Sequence, residues 1–284
     1  MASRDLCFAT IANEPYQEYI PLYIYFARTA YPESKVNIYF HGQLHPVIER
    51  SLGRLEPHGF AIKGLCDRPP ATAQLFKSLR WVLYDPEFAE FDNLYLSDVD
   101  IYFGRETPSL CAQHLDHCAR TGLPYSNIVR PGIHRLAGGG HFVRVKEYFA
   151  RTRPAIDEYR RRIFAGEIEV ESDEEILYQI VAETCSLPPW DEPKTHHGIH
   201  MRVFHRPGGL AEYRALTNYA FDGLFVPVYR QFHAATKSPV FDALVEDLRQ
   251  ISYDAGANTR KGPGLLSQLG VAIALCEELE KGGR

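Results

Sequence analysis

Asp98 and Asp100 interrupt an otherwise mostly apolar run, NLYLSDVDIYF, at residues 93–103. Residues two apart on an extended segment project to one side. If strand geometry reaches the two acids, both carboxylates point the same way. Adjacent carboxylates repel, and burying them unpaired is costly. A divalent cation relieves both problems. Carboxylate oxygens suit Mg2+ or Mn2+, which share such sites with substrate phosphates. The plain alternative makes Asp98 a turn cap and pairs Asp100 with Arg80 or Arg105. A second concentration of chemistry is the histidine cluster in KTHHGIHMRVFH, residues 194–205, which follows a proline-rich loop at 187–193.

Something must bring these segments together. Short apolar runs at residues 5–12, 35–40, 60–65 and 93–100 read as strands. Helical spacing fills the gaps at 16–31, 46–55 and 71–84, with Pro21 predicting a kink or late start in the first and Pro86 stopping the last. Strand–helix alternation of this kind means an α/β fold with a mostly parallel sheet flanked by helices. Such sheets bind ligands at the carboxyl ends of their strands. Further on, 109–121, 146–164 (interrupted at Pro154) and 173–184 read as helices, the last with Ser172 as N-cap. Residues 125–130 and 141–145 read as strands. Two amphipathic stretches, 240–251 and 265–279, predict a C-terminal helical appendage. The expected organisation is one domain over 1–235 and a helical extension over 236–284.

Composition narrows the function. The chain has 284 residues, 45% hydrophobic and 24% charged, with a net charge of −5. That balance argues against a non-specific nucleic-acid binder. The run Arg160–Arg161–Arg162 sits among acids and reads as a solvated helix face. No stretch approaches the roughly 20 apolar residues of a membrane span. The opening residues lack the apolar core of a signal peptide. Six scattered cysteines with no C-x-x-C pair read as reduced thiols. Together these predict a cytoplasmic chain; docking on a membrane through a partner stays open. Oligomeric state is not set by the sequence.

An apolar strand followed by Asp-x-Asp resembles the metal motif of A-type (GT-A fold, Rossmann-like) nucleotide-sugar glycosyltransferases. The nearest likeness is to the glycogenin and lipopolysaccharide galactosyltransferase group, family 8-like enzymes that usually retain anomeric configuration and use UDP-sugars. Four more segments are similar. ATIANEPYQEYI matches the group's first strand and turn, implying a nucleotide pocket of Ala9, Thr10, Asn13 and Tyr16. FKSLRWVL resembles the helix whose basic residue approaches the donor, here Arg80. RLAGGGHFVRV looks like the glycine-containing strand entry, implying that Gly138, Gly139 and Gly140 let the backbone approach the donor sugar closely. SDEEILYQI is similar to Asp-Gln-Asp-Ile-Leu-Asn, with Asp173, Glu174 and Glu175 at its first three positions; this implies Glu174 near the reacting carbon, and Asp173 and Glu174 orienting donor sugar and acceptor. A glutamate at the usual glutamine position departs from the pattern, with a base or nucleophile as its possible roles and consequences for retention.

The resemblance further implies a histidine that completes the metal site and a lysine that holds the diphosphate. The chain has HHGIHMRVFH in place of the usual His-x-x-Gly-x-x-Lys-Pro-Trp. His197 and His200 are the third-ligand candidates, with His196 behind them, and Arg202 stands for the lysine. Asp98 and Val99 join the donor-binding set. The implied activity is metal-dependent transfer of a sugar from a UDP-sugar, with Mn2+ or Mg2+, to a glycan, protein or small-molecule acceptor. Two rivals use the same residues. One is a Mg2+-dependent phosphatase or phosphotransferase, which wants a nucleophilic aspartate after the first strand, whereas Asp5 precedes it. The other is a non-catalytic carbohydrate-binding protein of the same fold.

Overall fold

The computed structural model describes residues 4–56, 59–130, 132–193, 195, 198–201, 222–254 and 264–281. Its first half runs β1 (Arg4–Asn13), α1 (Ile20–Ala30), β2 (Lys35–His41), α2 (Pro46–Leu55), β3 (Phe60–Gly64), α3 (Ala73–Ser78) and β4 (Phe91–Ser97). There follow β5 (Ile101–Tyr102), α4 (Leu110–Thr121), β6 (Tyr125–Ser126), β7 (Gly140–Arg144), α5 (Val145–Ala165), α6 (Asp173–Thr184) and β8 (Ile199–His200). Helices Asp222–Ala235, Pro239–Asp254 and Leu265–Lys281 complete the described residues.

The main sheet has the order β3-β2-β1-β4-β7-β6. The β1–β2, β2–β3 and β1–β4 pairs are parallel, and β7 is antiparallel to both neighbours. This is the mostly parallel α/β sheet that the alternation of elements predicts. Alternate strand residues face opposite sides. Leu6 and Phe8 of β1, Val36 and Ile38 of β2, and Tyr95 of β4 pack under α1, α2 and the C-terminal helices. Cys7 and Ala9, with Leu94 and Leu96, pack against the other layer, which contains α5 and α6.

Local signals set most boundaries. Residues Glu14–Tyr19 form a 3-10 turn, and α1 starts late with Pro21 in its first turn, where a missing N–H costs nothing. Ser109 Oγ accepts from Ala112 N (3.2 Å), and Gly122 closes α4 in the left-handed region at φ 70°. Ser172 Oγ accepts from Glu174 N (3.3 Å) at the start of α6, the expected cap.

Two helices depart from expectation. The 71–84 helix shrinks to Ala73–Ser78 and then turns tightly, with Trp81 N donating to Ser78 O (2.9 Å). Consecutive helical residues do not share a face. The turn lets Arg80 and Trp81 both reach one carboxylate, Asp173. Conversely, α5 runs unbroken through Pro154, because Tyr148, Phe149, Ile156, Tyr159 and Ile163 bury a continuous apolar stripe on both sides of it.

The C-terminal helices share the first layer's core: Phe241, Leu244, Leu248, Leu265 and Leu269 are buried with α1 residues. Asp247 ties helix Pro239–Asp254 to α2, accepting from Arg50 Nε (3.0 Å), Arg54 Nε (2.8 Å) and Ser51 Oγ (3.1 Å). Tyr25 Oη donates to Ala235 O (2.7 Å), and Gln268 Nε2 donates to Tyr19 Oη (3.0 Å). All six cysteines are free thiols. Arg161 pairs with Glu158 and Glu167 on the surface, the solvated face expected for that run. Among the described residues no helix is long and apolar enough to cross a membrane.

Candidate metal and donor site

In the order β3-β2-β1-β4 the sheet grows outward from β1 in both directions, so strand progression reverses between β1 and β4. Open α/β sheets bind ligands in the crevice at such a switch point, beyond the strands' carboxyl ends. β1 ends at Asn13 and β4 at Ser97, so Asp98 is delivered to that crevice. Asp5 lies at the opposite end of β1, away from the pair, which removes the nucleophile a phosphatase of this layout wants.

The two acids sit in a turn rather than on the strand. Asp98 N donates to Gly139 O (3.3 Å), and Ile101 N donates back to Asp98 O (3.2 Å). Val99, between them, is buried in the α1-side core. β5 then pairs antiparallel with β8, Ile101 opposite His200. Met201 N donates to Asp100 O (2.8 Å), fixing the register. Gly198 allows the approach: at φ +85° its added Cβ would meet Ile101 Cγ2 and Tyr102 O, each at 2.8 Å. This ladder brings His200 Nε2 to 3.3 Å from Asp100 Oδ2. Ligand atoms of Asp98, Asp100 and His200 all lie within 4.8 Å of one another. His196, His197 and Arg202 lie outside the described residues.

Arg80 is 3% exposed and organises the next layer. Its Nη1 pairs with Asp98; its Nη2 donates to Gly138 O (2.9 Å) and Asp173 Oδ2 (3.2 Å). The guanidinium lies 4.0 Å from the Trp81 ring centroid, and Trp81 Nε1 donates to the same Asp173 oxygen (3.1 Å). Burial works against the charge on Arg80, but Asp98 and Asp173 hold the proton and its pKa is raised. Burial pushes the Asp98 carboxyl up; Arg80 opposes this, and Asp100 adds to it.

The triple glycine is a fixed shelf. Asn127 Nδ2 donates to Ala137 O (3.0 Å) and Gly140 O (3.3 Å), Arg80 takes Gly138 O, and Asp98 N takes Gly139 O. Glycine suits 138 and 140 for packing: an added Cβ would meet Glu174 Oε1 at 2.8 Å at the first and collide with Tyr95 Oη at the second. Glu174 binds the shelf through Gly138 N (2.9 Å). It also takes a two-pronged contact from Arg130, Nε and Nη2 each 2.6 Å from a carboxylate oxygen. Arg135 holds Glu175 through one oxygen, with Nε (3.0 Å) and Nη2 (2.6 Å) both donating to Oε1. Beneath the shelf, burial and then Arg80 push His141 down to about 3, so it is neutral.

At the β1 end, Ala9 and Thr10 are fully buried, and Thr10 Oγ1 donates to Ser97 O (2.7 Å), joining the two strand ends. Asn13 Oδ1 is a buried acceptor without a hydrogen-bond partner among the described residues. Tyr16, 37% exposed, lies beside Tyr19 with ring centroids 6.2 Å apart. The contributions of Trp81, Arg130 and Asn127 escape sequence reasoning. No spacing marks Arg130 or Asn127, although the adjacency of Trp81 to Arg80 was a usable hint.

No family model matches the chain, and no curated protein matches it. Among solved structures it resembles the glycosyltransferase GlyE of Streptococcus pneumoniae TIGR4 (TM-score 0.48, 12% identity, 98% of this chain and 64% of that one). It also resembles the galactosyltransferase LgtC in complex with donor and acceptor sugar analogs (TM-score 0.34, 13% identity, 60% of this chain and 69% of that one). An active-site mutant of LgtC gives a TM-score of 0.36 at 13% identity, over 60% of this chain and 68% of that one. The chain thus spans 64% of the GlyE chain's length.

Proposed function

We propose that the chain is a metal-dependent glycosyltransferase, moving a sugar from a UDP-sugar to an acceptor hydroxyl on a glycan, protein or small molecule. The observation that carries this reading is the convergence of Asp98, Asp100 and His200 at the sheet's switch point. Two carboxylates and one imidazole fit Mn2+ or Mg2+, with oxygen ligands to spare for phosphates. These three side chains would hold the cation, which when bound supplies charge stabilisation for a diphosphate leaving group.

The chain's own groups divide the remaining work. Asn13, with its unpaired acceptor, and Tyr16, with its open ring, suit the edge and face of a base. The Nη1 and Nη2 groups of Arg80 are engaged by Asp98, Gly138 O and Asp173, so this fork orients the two acids and does not reach out as a clamp; its buried Nε has no hydrogen-bond partner among the described residues. Glu174 is held in place by Arg130 and Gly138 N, and serves to fix the shelf beside the donor sugar. Asp173, Glu174 and Glu175 are all paired with arginines, so none is a free general base. Retention of anomeric configuration enters this reading only from the resemblance to family 8-like enzymes. Arg202 remains the proposed partner of the diphosphate. Residues 1–235 form the catalytic unit in this reading, braced by 236–284. The free cysteines fit a reducing cytoplasm.

The test is a panel of nucleotide-sugars with Mn2+, following UDP release without and with acceptors. UDP release that vanishes in a folded Asp100→Asn variant is the expected result. Absence of both UDP release and Mn2+-dependent UDP binding overturns the reading, and orthophosphate release from phosphate esters replaces it with the phosphatase.

A further inference from the structure

Trp190 is 76% exposed, by far the most exposed of the large hydrophobic side chains described. A single apolar residue at the surface is ordinary. This one differs in how firmly its backbone is held. It sits in SLPPWDEP, residues 186–193, between two prolines and a third close by. Glu192 N donates to Pro189 O (3.2 Å), closing a turn with Trp190 at its tip. Tyr125 Oη donates to Ser186 O (2.8 Å) at the entry. Glu192 pairs with Arg120 and lies 3.7 Å from His117 Nε2 at the exit. Prolines and anchors on both sides leave the indole little freedom to fold back, so contact with a partner costs little additional order.

The segment's course ties it to the donor site. It leaves α6, passes the edge strand β6 and reaches Thr195, whose Oγ1 lies 3.2 Å from His114 Nδ1. Thr195 and Gly139 both line a small cavity of about 20 Å³, and Gly139 O accepts from Asp98 N. Five residues of chain separate Trp190 from Thr195, which limits that distance to roughly 18 Å. The platform is therefore within a few sugar rings of the shelf.

We propose that Trp190 and Asp191 form a stacking subsite for a saccharide chain. The flat apolar face of the indole matches the C–H face of a pyranose ring, and the exposed Asp191 carboxylate accepts from the ring's hydroxyls. By the transferase reading, that saccharide is the distal part of an acceptor glycan, so the acceptor is an oligosaccharide. Only this naming as acceptor rests on that reading; binding itself needs no turnover.

The chain has two tryptophans, and Trp81 is 1% exposed, so exposed indole emission reports Trp190 alone. The probes are cellohexaose, maltohexaose and N-acetylchitohexaose at millimolar concentration, beside a proline-rich octapeptide and anionic phospholipid vesicles. The expected result is a saturable blue shift or quench with at least one hexasaccharide, and a calorimetric response to the same sugar that is lost in Trp190→Ala and about tenfold weaker in Asp191→Asn. Once an acceptor is found, Trp190→Ala raises KM for its long form by about tenfold with kcat unchanged, and leaves KM for its monosaccharide form alone. No response to any hexasaccharide, a response that persists in Trp190→Ala, or a response to the peptide or vesicles alone overturns the proposal.

Discussion

Replacing Arg80 with methionine tests the electrostatic frame of the site most directly. The guanidinium side chain is 4% exposed and is set against Asp98 and Asp173, whose side chains are 36% and 14% exposed. Counting Asp100, three carboxylates face one cation, a net charge of −2 that becomes −3 in the variant. Removing one partner from a buried ion pair costs about 3–5 kcal/mol, since the remaining charge is stranded. Asp98 is partly open to water, so the lower end applies, about 3 kcal/mol. For a chain of 284 residues that lowers Tm by roughly 5 °C. Methionine keeps the packing on Trp81, so the loss reports charge. Mn2+ supplies the sharper measurement. In the parent it must share Asp98 with Arg80; in the variant it meets unpaired carboxylates and replaces the missing charge. Calorimetry across a Mn2+ titration therefore gives a larger Tm rise and a lower Kd in Arg80→Met than in the parent, while UDP release falls as Asp98 and Asp173 lose their orientation. A Tm within about 2 °C of the parent, or equal Mn2+ shifts in both proteins, refutes the reasoning.

Three further predictions follow from separate parts of the molecule. Arg130→Ala and Glu174→Ala break one latch, so in a double-mutant cycle on transfer rate the pair costs little more than either alone; full additivity rejects a shared role. Glu174→Gln keeps one acceptor for Gly138 N and retains more activity than Glu174→Ala, whereas a catalytic base would lose as much in either. His141 is held down to about 3 and His117 to about 4, both chiefly by burial. In the unfolded chain each titrates near 6.5, so their stabilising effect is complete above that pH and is lost as pH falls toward the folded values. Unfolding free energies from urea titrations between pH 6 and 4 should fall by up to about 1.4 kcal/mol per pH unit for each histidine, and His141→Phe should flatten that slope. Burial raises the Asp247 carboxyl, but Arg54, Arg50 and Ser51 outweigh it and hold it below its ordinary 3.8. The tie is present above that pH and lost as pH falls through the folded value. Asp247→Asn costs about 1–2 kcal/mol, given half-open arginines, and hydrogen exchange quickens in residues 239–254 while β1 stays protected.

Much of the framework is visible in the chain because its signals are local. The apolar runs of β1 to β4, the serine caps of α4 and α6, and the late start forced by Pro21 each depend on a few adjacent residues. The aspartate pair is likewise readable, although its carboxylates converge from a turn and not from strand alternation. What resists reading is set by distant partners. The shortening of α3 depends on Asp173, 93 residues beyond Arg80. The persistence of α5 through Pro154 depends on a core stripe that outweighs a local breaker. Among the histidines, His200 reaches Asp100 through a ladder that neither two-residue strand announces by pattern. Glycines 138 and 140 read as room for a ligand, yet their immediate reason is the bulk of Glu174 and Tyr95.

The short β5–β8 ladder has a consequence for biosynthesis. Asp100 and His200 are separated by 100 residues, and all six strands of the main sheet are made before the imidazole emerges. A growing chain can thus assemble its sheet and present both acids on the ribosome while still lacking the third ligand. On the proposed metal reading, tight cation capture would be deferred until residues 198–201 have threaded back beside β5. If the proposed metal site is correct, it would act as a checkpoint of its own completion: truncated or stalled chains would carry the acids but hold metal weakly, and metal-dependent chemistry would start only once the distal segment has docked.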